Sequence, residues 1–111
     1  MENITRNIGT NTRGGKNLRR VWIEGKSLAN ESWNKGTRYK RIETANGWEL
    51  VRDDNGPLKI AGGDNRPVID LCGAYVGKTL AGFEKVTVRI TANKIVIQGA
   101  SCAALLIQLA A

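Results

Sequence analysis

The sequence predicts a mainly β protein with small α content, built from two similar strand–short helix–hairpin halves. Three observations predict it. Thirteen glycines stand against two prolines in 111 residues, a turn-rich composition, while 41% hydrophobic residues supply one modest core. In KVTVRI, Val86, Val88 and Ile90 fall on one face and Thr87 and Arg89 on the other, the alternation of a half-buried strand. Finally, RIETANGWELV (41–51) and RITANKIVI (89–97) each place Thr-Ala-Asn between two strand-like runs, so the chain spells one hairpin twice.

Taken in order, MENITRNIGTNTRGGKN holds only Ile4 and Ile8 as apolar residues after Met1. So little apolar surface does not offset ordering entropy, and residues 1–17 read as a flexible basic arm. Residues 18–111 then read as a single domain. LRRVWIEG is a strand in which Val21 and Ile23 alternate with Trp22 and Glu24, closed by Gly25. KSLANESW is a short helical segment with Ser27 as its N-cap and Leu28 and Trp33 as buried anchors. TRYKRIE and WELV are strands around Asn46-Gly47, two residues that tolerate the positive φ of a type I′ turn. DDNGP (53–57) breaks the sheet; it starts like a Ca²⁺ loop but lacks the later oxygen ligands and closing Glu, so it reads as a turn.

The second half repeats the order: strand PVIDLCG, short helix or turn AYVGKTLAGF, strand KVTVRIT, turn ANK, strand IVIQG. The pseudo-repeats are about 18–52 and 66–98, consistent with two fused copies of one unit sharing a core. The apolar stretch 100–111 is interrupted by Gln108 and is too short to span a bilayer.

Chemistry is sparse. GAYVGKT (73–79) resembles a phosphate-binding loop but has three residues, not four, between its first glycine and Gly-Lys-Thr, so no nucleotide cofactor is expected. There is no histidine and no CxxC, so Cys72 and Cys102 do not make a zinc site. Without an apolar leader in MENITRNIGT, both cysteines read as reduced thiols of a cytoplasmic protein, with a disulfide between them as the alternative. No nucleophile–base pair stands out, and Asp53/Asp54 and Asp64/Asp70 read as turn caps or solvated carboxylates; no enzyme, metal or cofactor is expected.

Charge carries the functional signal. The net +7 lies entirely in residues 1–41, which hold ten Lys and Arg against Glu2, Glu24 and Glu31; the remainder is neutral. Such a segment attracts polyanions, because every phosphate neutralised releases a condensed counterion. The expected nucleic-acid contacts are Arg13, Lys16, Arg19, Arg20, Lys26, Lys35, Arg38, Lys40 and Arg41, forming a continuous basic surface if the strands bearing them are adjacent.

RRVWIEGKSLAN, with Trp33, GTRY and the hairpin that follows, resembles the SymE-type toxins and, more widely, the AbrB-like swapped-hairpin barrels. The matching pattern is Gly25, Leu28, Trp33 and Gly36. PVIDLCG…LAGFEKVTVRI…KIVI is similar to related segments beside bacterial and phage DNA-modification proteins. The resemblance implies a small swapped-hairpin-like β-barrel that binds DNA or RNA as a dimer or internal pseudo-dimer, with Lys26, Lys35, Arg38, Lys40 and Arg41 as basic contacts. Two other classes fit the same residues: a phage or mobile-element inhibitor that binds a nuclease or defence complex, and an oligomeric structural subunit assembled through the arm and apolar tail. None of the three is a membrane protein.

Overall fold

The computed structural model describes residues 1–100, and the protein is mainly β. Its strands are β1 (Glu2–Asn7), β2 (Gly9–Arg13), β3 (Lys16–Glu24), β4 (Arg38–Thr44), β5 (Gly47–Arg52), β6 (Leu58–Lys59), β7 (Ala61–Gly63), β8 (Arg66–Cys72), β9 (Lys85–Ile90) and β10 (Lys94–Ala100). Two short helices, α1 (Lys26–Ala29) and α2 (Ala74–Thr79), follow β3 and β8. A six-stranded antiparallel sheet of order β1-β9-β10-β5-β4-β6 faces a four-stranded one of order β2-β3-β8-β7. The core lies between them, with Val21, Ile23, Ile69 and Leu71 from the small sheet against Trp48, Leu50, Val86, Val88, Ile90, Ile95 and Ile97 from the large one.

The element order β1-β2-β3-α1-β4-β5 recurs as β6-β7-β8-α2-β9-β10, so the repeating unit begins before residue 18 and takes in the N-terminal strands. Equivalent backbone bonds recur with it. The Ile8 amide donates to Glu84 and the Ile60 amide to Thr37; Gly25 donates to Pro67 and Gly73 to Arg19; Arg52 donates to Asn93 and Gly99 to Asn46. The copies interlock. At the centres of the sheets β3 pairs with β8, putting Trp22 opposite Asp70, and β5 pairs with β10, putting Glu49 opposite Val96. At the edges each copy also completes the other's sheet, β1 lying on β9 and β6 on β4.

Three expectations are corrected. Residues 2–13 are not a flexible arm but strands β1 and β2. A strand whose backbone bonds to β9 needs few apolar anchors, and Ile4 and Ile8 packing on the core suffice. The fold is also not a closed barrel. The edge chain passes from one sheet to the other at Ile8 and at Ile60, but β6 and β7 are only two and three residues long, and the sheets stay open. Ser27 does not cap α1, because Gly25 takes the N-cap position at φ 82°, a conformation that favours glycine. Of the apolar stretch 100–111 only Ala100, the last residue of β10, is described; residues 101–111, and with them any pairing of Cys72 with Cys102, lie outside the described residues.

Candidate nucleic-acid interface

The expected basic residues do not form one surface, because β3 and β4 belong to different sheets. Arg13 ends β2 and Lys16 begins β3, either side of the Gly14-Gly15 turn, whose φ values of 56° and 77° suit glycine. Arg19 and Arg20 leave β3 on opposite faces. Arg19 turns toward the end of α2 and donates to the carbonyls of Leu80 (2.9 Å) and Phe83. Arg20 points outward, pairs with both oxygens of Asp70 at 2.9 and 3.1 Å, and lies 4.3 Å over the Trp22 ring. On the same outer face, Glu24 accepts from Trp22 and from Arg66, and these bonds hold its carboxyl below the usual carboxylate range.

Lys26 begins α1 and Lys35 lies in the loop before β4, both exposed. Arg41 sits on the helix-facing side of β4, where its guanidinium donates to the Tyr75 hydroxyl at 3.0 Å and covers that ring at 4.2 Å. Beside it, Thr79 donates to Glu43 at 2.7 Å. Burial raises the Tyr75 hydroxyl above its ordinary pKa, with Arg41 opposing, so the pair is a neutral phenol under a cation.

Arg38 and Lys40 alone of the nine reach the outer face of the six-stranded sheet, and there the structure adds four cations. Register sets the face: Arg38 opposes Lys59, and the row Lys40–Val51–Lys94 crosses three strands. The next row is Ile42–Glu49–Val96–Arg89–Asn3, and Lys85 follows four residues from Arg89 on β9. Within the strands, this face thus carries Arg38, Lys40, Lys59, Lys85, Arg89 and Lys94 against a single carboxylate, Glu49, bridged to Lys94 at 3.0 Å. Asp53, just past β5 at the Arg38 end, accepts the Asn55 amide at 2.9 Å. Arg38 spends its Nε on the Gly56 carbonyl at 2.9 Å, leaving its terminal nitrogens outside that bond.

On the β1 side the face sinks into a shallow depression of about 700 Å³, lined among others by Asn3, Thr5, Thr87, Arg89, Val96 and Gln98. These amides and hydroxyls are donors suited to phosphate or sugar oxygens. Sequence reading missed Lys59, Lys85, Arg89 and Lys94 because the second half is neutral as a sum. The usable signal was alternation: Lys85 and Arg89 are the outward partners of Val86 and Val88, and Lys94 precedes inward Ile95.

Fold and face together define a small, mainly β protein whose six-stranded sheet carries a basic outer face. Among the described residues no helix is long and apolar enough to cross a membrane. Comparison with protein-family models, with curated proteins and with solved structures finds no match.

Proposed function

We propose that this protein binds nucleic acid through the outer face of its six-stranded sheet. The observation that carries the reading is the sidedness of charge, six cations against Glu49 on one exposed β surface. Sheet geometry fixes the spacing of the side chains, so phosphates meet a preformed array and little ordering cost falls on the backbone. The interlocked hairpins also support the resemblance to the SymE-like and AbrB-like proteins, and with it a role as a regulator or toxin-like module.

The test is fluorescence anisotropy with labelled DNA and RNA across a salt series. Binding should weaken linearly in log–log form with a slope of roughly −4 to −5, the value for about five neutralised phosphates. The double variant Lys40→Glu, Arg89→Glu should weaken binding by at least about tenfold at low salt. Glu49→Gln frees Lys94 and removes the one opposing charge, and should strengthen binding about threefold. Binding indifferent to salt, or none to either polymer at low ionic strength, would sink the proposal.

A further inference from the structure

We infer that this face takes the backbone of a double helix over about one turn, rather than a single strand; the inference rests on the nucleic-acid reading above. The cations are not scattered. From β6 to β9 they step diagonally across the sheet in the order Lys59, Arg38, Lys40, Lys94, Arg89, Lys85. With strands about 4.8 Å apart and about 3.4 Å per residue, neighbours lie roughly 5–14 Å from one another and the stripe is about 30 Å long. One turn of duplex is about 34 Å, so a helix laid along the stripe offers backbone to both of its ends.

The placement of the aromatic rings points the same way. Single strands are held on stacking platforms, aromatic side chains that receive successive bases. Among the described residues this face has none. Trp33, Tyr39 and Trp48 are buried, Trp22 lies on the outer face of the other sheet, and Tyr75 packs edge-on against Trp48 at 5.8 Å. The middle of the stripe holds Val51, Val96 and Ile42 instead, short branched chains that fit beneath a groove but give unstacked bases no flat partner. Asn3, Thr5 and Gln98 in the depression add donors at the level of the sugar–phosphate chain.

The experiment measures affinities of the full chain for labelled mixed-sequence DNA duplexes of about 6, 9, 12 and 18 base pairs and for single strands of equal length, with duplex RNA in parallel to tell which double helix is taken. Affinity for duplex should climb steeply to about nine base pairs, the length that covers the stripe at about 3.4 Å each, and then rise only with the number of overlapping sites. Single strands should bind at least about tenfold more weakly. The exposed end variants Lys59→Ala and Lys85→Ala should weaken the 12-mer several-fold while changing the 6-mer by less than about twofold. Single strands bound as tightly as duplex, or end variants that act equally at every length, would overturn the inference while leaving nucleic-acid binding intact. No binding to any of these polymers would overturn both.

Discussion

Arg52 lies on the inner side of β5, away from the basic face, and replacing it should cost stability while leaving that face unchanged. Its Nε donates to the Ala92 carbonyl at 2.8 Å and one terminal nitrogen reaches the carbonyls of Ser32 at 3.0 Å and Glu31 at 3.3 Å. The guanidinium also lies 4.7 Å over the fully buried Trp33. One side chain therefore ties the end of α1, the β9–β10 turn and a core ring together. Hydrogen bonds to a charged donor contribute about 1.5–3 kcal/mol each and a partly exposed cation–π contact about 0.5–1 kcal/mol. Because the site is partly wet, the lower ends apply, and two good bonds plus the ring give about 3.5 kcal/mol for Arg52→Ala. For a domain of this size that is a fall in Tm of roughly 14–28 °C. Arg52→Lys keeps the charge but not the planar fork, and should recover less than half of the loss. Urea unfolding followed by tryptophan fluorescence, with Trp33 as the adjacent reporter, measures both variants. An alanine variant within about 0.5 kcal/mol of the parent would refute the reasoning, since that is the scatter of ordinary surface substitutions.

Gly47→Ala should be among the most damaging single-methyl changes: a Cβ there would stand 1.8 Å from the Ile97 carbonyl oxygen, on the seam between the copies. It should cost about 3 kcal/mol or more in urea unfolding, whereas Gly63→Ala, with nothing within 4 Å, should leave the midpoint unchanged. Glu24 offers a pH readout. Its folded-state pKa is depressed by Trp22 and Arg66, so its contribution is full above the ordinary carboxylate range and is lost as pH falls through the depressed value. Arg66→Ala should raise the Glu24 titration midpoint seen by NMR, with the Trp22 bond retaining part of the shift, and an unmoved midpoint would count against the pair.

Much of the fold was legible because the strands obey period-two alternation. Val86, Val88 and Ile90 point inward, a two-residue turn closes β4 on β5, and Trp33 is core. The turn itself is Ala45-Asn46, one residue earlier than expected, because Thr44 pairs with Gly47 as the first residue of β5 and neither Asn46 nor Gly47 takes a positive φ. The N-terminal strands were not legible, because their stability comes from hydrogen bonds to β9 and β3, partners distant in sequence or separated by a turn, and not from apolar content. Ile42 shows another limit. By sequence it aligns with Ile90, yet it is 44% exposed while Ile90 is fully buried, because the register places Ile42 in one row with Arg89. The basic surface failed for a related reason. Strands adjacent in sequence, β3 and β4, lie in different sheets, so charges counted together are held apart. Four of the nine expected cations, Arg19, Arg20, Arg38 and Arg41, are moreover engaged by carbonyls, an aspartate or a phenol, partners that no count of charges exposes.

The interlocking of the copies sets the order in which the chain can fold. Glu2 finds Ile90, and Val21 finds Leu71, only after most of the polypeptide is available, so contact order is high and folding belongs to the slow millisecond-to-second regime of all-β proteins. A ribosome releasing the first fifty residues releases β4 without β6 and β5 without β10, strands with open edges that solvent must satisfy until the second copy arrives. A break in the Asp53–Pro57 turn should for the same reason yield two fragments that are unfolded apart and recover one structure when mixed.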